Sequence, residues 1–302
     1  MSVLARPAGW LLAGCLLFLP LQARGQARNV AEFFRTLSLD SLTGAVSVYY
    51  SPGHRARALT VQKQYAGAVT YYRKAFPKNA LVDVNIGVAL LQPEHWTAFT
   101  LRRTYGVPHV DFSGWPHLIT VLPAANDSGA LADLFRQQKI APRDAGRAVD
   151  AIGFHEFGHL LMRQYFYGNT LATDKLSVEW FEEFMATYLG QGYLWHSQGL
   201  KADPIRVTWS GDSAPQYTTL AEFEDHYPQD FLTPESWPNY YGWYQAKFTE
   251  RAREVFAKQG LDFVKRVRNE LPWNRYAEWQ TDELLVLLEQ IESGFVAWAK
   301  SL

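Results

Sequence analysis

The sequence predicts an α+β fold, and three observations predict it. β-forming segments are confined to the first half, helical spacing continues from about residue 143 to the C-terminus, and no internal repeat or low-complexity linker divides the two. At 302 residues and 48% hydrophobic content, the chain has ample material for one large core. The net charge of −1, with no run of Lys or Arg, argues against a nucleic-acid or anionic-membrane partner.

Residues 1–25 read as a secretory signal: Arg6, an apolar run from Trp10 to Leu21, then Ala23-Arg24-Gly25 as a small-x-small cleavage site. The expected product is exported, periplasmic or secreted. No integral span is expected after cleavage, because the apolar run falls short of the roughly 20 residues a membrane helix needs. Leu12-Ala13-Gly14-Cys15 also resembles a bacterial lipobox, which would make Cys15 a lipid anchor. Against that alternative, the apolar segment runs on past Cys15. Cys15 is the only cysteine, so cleavage after Gly25 would leave none: disulfides are not expected to hold the fold, nor a thiol to carry catalysis.

Residues 26–302 read as a single domain, with an α/β lobe over about 40–170 and a helical lobe over about 176–302. Residues 45–50 (AVSVYY) are rich in β formers and stop at Ser51-Pro52-Gly53. Helical spacing follows over 59–76, then strand-like segments at 81–91 and 118–122, the latter closed by Pro123. A helix is expected over 143–166 and a second over 177–190, with Ser177 as N-cap. Thr219-Leu-Ala-Glu222 fits a capping box. Helices near 239–258, 261–270 and 282–300 complete the chain.

The first of the later helices carries His155-Glu156-Phe157-Gly158-His159. Histidines four apart share a helical face, so both imidazoles can meet one ion, and the intervening glutamate can hold a water beside it. With 8 His and 16 Glu in the chain, chance placement gives this pattern in roughly one such chain in a hundred. The competing explanation is a pair of core histidines bonded to backbone carbonyls on a face shared with Ile152, Met162 and Phe166. The ligand spacing with a glutamate between favours the metal.

A catalytic zinc site takes three protein ligands and one open position. A third histidine close by would require Gly at 162 and His at 165, where the chain has Met162 and Tyr165. His196 and His226 lie downstream in segments with no supporting pattern. The next helix offers Glu179, Glu182 and Glu183. Glu179 and Glu183 share a face, with Glu182 about 100° away from Glu183. Three residues after Glu183 comes Ala186, small enough for close helix approach, whereas three after Glu179 comes Glu182. Spacing therefore favours Glu183 and leaves Glu179 as the alternative.

Trp180-Phe-Glu-Glu183-Phe-Met-Ala186-Thr-Tyr188 resembles the W-x-x-E-x-x-A-x-Y segment of gluzincin metallopeptidases of the aminopeptidase N and peptidase MA-like type. The likeness extends upstream through Val48-Tyr-Tyr-Ser-Pro-Gly53 and Gly114-Trp-Pro-His-Leu-Ile-Thr-Val-Leu122, over most of residues 45–270. It implies a zincin-like catalytic domain with the active site in the cleft between the two lobes. It also implies one Zn2+ per chain on His155, His159 and Glu183, and a zinc-bound water activated by Glu156 for hydrolysis of a peptide or protein substrate. An oxyanion-stabilising tyrosine on a later helix is implied too. Tyr244 is the best match, with Tyr240, Tyr241 and His226 as rivals. Residues 118–122 would be the substrate-binding edge strand.

Two departures from the family pattern matter. Nothing resembles the Gly-x-Met-Glu-Asn element of aminopeptidase N, which favours an endopeptidase or narrow processing enzyme. Thermolysin follows its ligand glutamate, four residues on, with an aspartate that orients a histidine. This chain has Thr187 there, so that partner is expected from elsewhere. The alternative function is a catalytically silent envelope protein that keeps the fold for binding or scaffolding.

Overall fold

Three parallel strands, apolar on both faces, form the centre of a computed structural model that describes residues 30–76, 85–100, 104–111, 117–137, 139–167, 178–200, 215–227, 230, 240–271 and 279–302. The proposed signal, Cys15 and Ser177 lie outside these residues. The strands are β1 (Asp40–Leu42), β2 (Ser47–Tyr50), β3 (Asn85–Leu91), β4 (His109–Asp111) and β5 (His117–Pro123), in the order β1-β2-β3-β5-β4. β2, β3 and β5 run parallel, and β1 and β4 pair antiparallel at the two edges. The expected α+β class holds, with a mixed sheet followed by helices.

Period-2 alternation sends alternate side chains of one strand into two cores. Val88 and Leu90 face one core with Leu118 and Leu122, while Ala89 and Leu91 face the other with Ile119 and Val121. The smaller core is closed by α1 (Val30–Thr36) and α3 (Pro93–Thr100) through Phe34, Trp96 and Phe99. The larger is closed by α2 (Arg55–Ala75) and α5 (Pro142–Tyr167), with α4 (Ala130–Gln137) beside them. α1, α3 and α4 are additions to the expected elements. Residues 118–122, expected as an edge strand, belong to the internal β5. β4, three residues with no readable pattern, occupies the edge and pairs Val110 with Thr120.

α5 starts at Pro142, whose fixed φ suits the first helical position. Arg57 of α2 grips Asp150 of α5 through two bonds of 2.7 and 3.3 Å, and Asn126 adds a third at 2.8 Å. α6 (Glu179–Gln198) then packs against α5 along its length. The expected end at residue 190 is corrected by two turns. Gly190 is not a terminator but a contact: a Cβ there would lie 2.2 Å from the Phe154 carbonyl oxygen. At Gly158 a Cβ would lie 2.0 Å from the Ala186 carbonyl oxygen. The two helices touch backbone to backbone at both points.

The remaining helices are α7 (Leu220–His226), α8 (Tyr241–Gln259), α9 (Asp262–Glu270), α10 (Thr281–Ile291) and α11 (Phe295–Lys300). The Thr219–Glu222 capping box opens α7 as expected. The continuous helix expected over 282–300 is broken at Gly294, which takes φ +96°, and the Glu289 carboxylate accepts the Gly294 and Val296 N–H groups. Among the described residues, no helix is long and apolar enough to cross a membrane.

Glycine-to-alanine changes inside a helix ordinarily stabilise by about 1 kcal/mol. Gly158→Ala and Gly190→Ala should instead lower the unfolding free energy by about 1–3 kcal/mol in chemical denaturation. A gain in stability would show that the α5 and α6 backbones are not in contact.

Candidate metal centre

The α5–α6 contact brings three donor atoms together. His155 Nε2 lies 3.2 Å from His159 Nε2 and 3.1 Å from Glu183 Oε2, and His159 Nε2 lies 3.6 Å from Glu183 Oε1. All three residues are placed as expected and form a group that can hold a metal ion. The spacing can be tested. Two ligand atoms about 2.0–2.1 Å from a tetrahedral ion sit about 3.3–3.4 Å apart, and the observed separations bracket that value.

The motif residues around Glu183 act as anchors. Trp180 Nε1 donates to Thr281 Oγ1 at 3.1 Å, fixing α6 to the start of α10. Tyr188 donates to the Gly260 carbonyl at the end of α8. Ala186 is the point where α6 meets Gly158. The α6 N-terminus has Val178 in the cap position. Its free N–H groups at Glu179 and Trp180 are taken by the two oxygens of Glu224, at 3.0 and 2.8 Å. Glu179 thus opens the helix and stands outside the ligand triad. Glu182 places Oε1 3.6 Å from His159 Nδ1, on the side of that ring away from the other ligands.

Glu183 is buried, with donors on both oxygens. Tyr227 donates to Oε1 at 2.8 Å, and Tyr241 and the Gln245 amide donate to Oε2 at 2.7 and 2.8 Å. Burial alone would raise its pKa, but the charge of His159, bonding to both histidines and the charge of His155 hold it well below the ordinary carboxylate range. Burial would lower His159. The Glu183 charge, contacts with Glu182 and Glu183, and the Glu156 charge outweigh that and hold it well above the usual histidine range. Loading a metal therefore displaces a proton.

Thr187 corrects the expectation that the partner of a histidine ligand comes from elsewhere. Its Oγ1 lies 3.1 Å from His155 Nδ1 and 3.0 Å from Gln245 Oε1.

The candidate tyrosines fall in three different settings. Tyr244 gives its hydroxyl hydrogen to the Thr219 carbonyl at 2.7 Å, so it braces the start of α7. Tyr241, one of its rivals, is the one on Glu183. Tyr240 stands at the N-cap of α8 with its ring 5.5 Å from Tyr217. His226 bonds Asp230 at 2.6 Å and stacks on Tyr217. Tyr227, Gln245 and Glu224 were not found from sequence. For Gln245 a signal existed: it lies four residues after Tyr241, on the same helical face.

Compared with known protein families, characterised proteins and solved structures, the chain matches none of them.

Tyr244→Phe should cost about 1 kcal/mol of stability by removing one of the two hydrogen bonds to the Thr219 carbonyl, which keeps the Phe223 N–H, and should leave metal affinity unchanged. Tyr241→Phe and Tyr227→Phe should weaken metal binding, as competition with a chromophoric chelator would reveal. Weakened binding in Tyr244→Phe alone would restore Tyr244 to the site.

Proposed function

We propose that this protein is an exported zinc metallopeptidase of the gluzincin kind, acting on a peptide or protein substrate. The observation that carries the proposal is the set of three donor atoms at tetrahedral spacing on two helices, with Glu156 beside them. The donor set favours zinc: two imidazoles and one carboxylate suit it, whereas calcium and magnesium take oxygen. When bound, zinc would supply Lewis acidity, polarising a carbonyl and making water ionisable near neutral pH.

The chain's own residues have separable tasks. Glu156 is half-buried where His155 and Glu183 are buried, so its carboxylate has access to incoming water; Glu182, also half-buried, faces His159 Nδ1 instead. The Glu156 charge acts on both His159 and Tyr241, so it lies near both. Glu156 takes the proton from the attacking water and passes it to the leaving amine. Tyr241 gives its one hydroxyl hydrogen to Glu183 at 2.7 Å and so orients that ligand rather than serving a developing oxyanion. Burial, then the charges of Glu183 and Glu156, push its pKa well above the ordinary phenol value, so it keeps its proton at working pH.

The purified protein should contain about one zinc per chain. Glu156→Gln should retain the metal and lose about 10²–10⁴-fold in peptide hydrolysis; Glu183→Ala should lose the metal. Full hydrolysis by Glu156→Gln would sink the mechanism. A peptide library left uncut by zinc-loaded protein, together with a tight co-purifying partner, would establish the binding reading instead.

A further inference from the structure

The contacts around Glu183 fix where every hydrogen lies in a four-residue circuit, from one constraint. An ionised carboxylate only accepts, so the Gln245 group 2.8 Å from Glu183 Oε2 must be the amide NH2. The amide oxygen then faces Thr187 and can only accept, so the Thr187 hydroxyl hydrogen goes to Gln245 at 3.0 Å. With that hydrogen committed, Thr187 Oγ1 accepts from His155 Nδ1–H at 3.1 Å. His155 therefore keeps a hydrogen on Nδ1, so the nitrogen that would give up its hydrogen to take a metal is Nε2, which faces Glu183 Oε2 and His159 Nε2.

From this circuit, which rests on the zinc reading above, we propose that Thr187 and Gln245 are positioning residues that set the metal-binding form of two ligands at once. Gln245 aims the Glu183 carboxylate with one end of its amide and, through Thr187, selects the His155 tautomer with the other. Thr187 and Gln245 are both fully enclosed, with relative exposures of 0% and 2%, so water cannot substitute for either. Both are uncharged. A carboxylate in place of Thr187 would add negative charge beside a site that already holds Glu183, with Glu156 and Glu182 close by. The neutral circuit orients the imidazole without further reducing the net positive charge of a loaded centre.

Outer partners of metal-binding histidines are worth about 10–100-fold in affinity. Thr187→Val keeps the shape and removes the acceptor and donor, so it should weaken zinc by about that factor, as should Gln245→Leu. Thr187→Ser restores the hydroxyl and should bind within about three-fold of wild type, well inside the loss expected for an outer partner. Because the two residues act as one circuit, the double variant should be little worse than the weaker single variant. Zinc competition against a chromophoric chelator reads each of these. The visible absorption of cobalt-substituted protein should shift in Thr187→Val and not in Thr187→Ser. Wild-type affinity in Thr187→Val, loss in Thr187→Ser equal to that in Thr187→Val, or additive losses in the double variant would each overturn the proposal. A wild-type protein that takes up no zinc would instead remove the zinc reading itself.

Discussion

The backbone contact between α5 and α6 is the constraint on which the site depends. Glycine at 158 and 190 lets carbonyl groups of one helix reach the space a side chain would fill on the other. Ridges-into-grooves packing with larger side chains holds helix axes about 8–10 Å apart; contact through glycine shortens that distance. Only then can histidines on one helix and a glutamate on the other converge to 3.1–3.6 Å. The anchors at the other end of each helix have the same purpose. Arg57 and Asn126 hold α5 at Asp150, Glu224 caps α6, and Trp180 ties α6 to α10.

The second requirement is electrostatic. A buried carboxylate is tolerable only when its charge is met by donors or cations. Glu183 has Tyr227, Tyr241, Gln245 and two histidines around it. Three helices each supply a pair of residues four apart: His155 and His159 on α5, Glu183 and Thr187 on α6, Tyr241 and Gln245 on α8. The same helical repeat used three times, on faces turned to one point, builds both the ligands and the groups that orient them.

What the sequence discloses follows from this. The α+β class, the long α5 and the ligands are legible because each rests on a repeat that the chain displays over its own neighbouring residues. The end of α6 is not legible at Gly190, because a glycine inside a helix and a glycine ending one look alike until the facing helix is known. Tyr244 and Tyr241 are only about 60° apart around α8, so helical spacing cannot choose between them. Glu224 and Gln245 act on α6 from 44 and 62 residues away. Nothing local announces them. The β4 edge consists of three residues, too few to show alternation.

The three paired positions also bear on the path by which the chain assembles. His155 meets Thr187 across 32 residues, and Glu183 meets Gln245 across 62. Loop-closure entropy separates these by about one doubling in length, only about 0.6 kcal/mol. That is too little to impose an order of events. α8 adds an apolar face through Phe248, Ala252 and Val255 as well as the polar groups that hold Glu183. The wall it builds is thus bound to the ligand-bearing pair of helices by apolar burial as much as by hydrogen bonds.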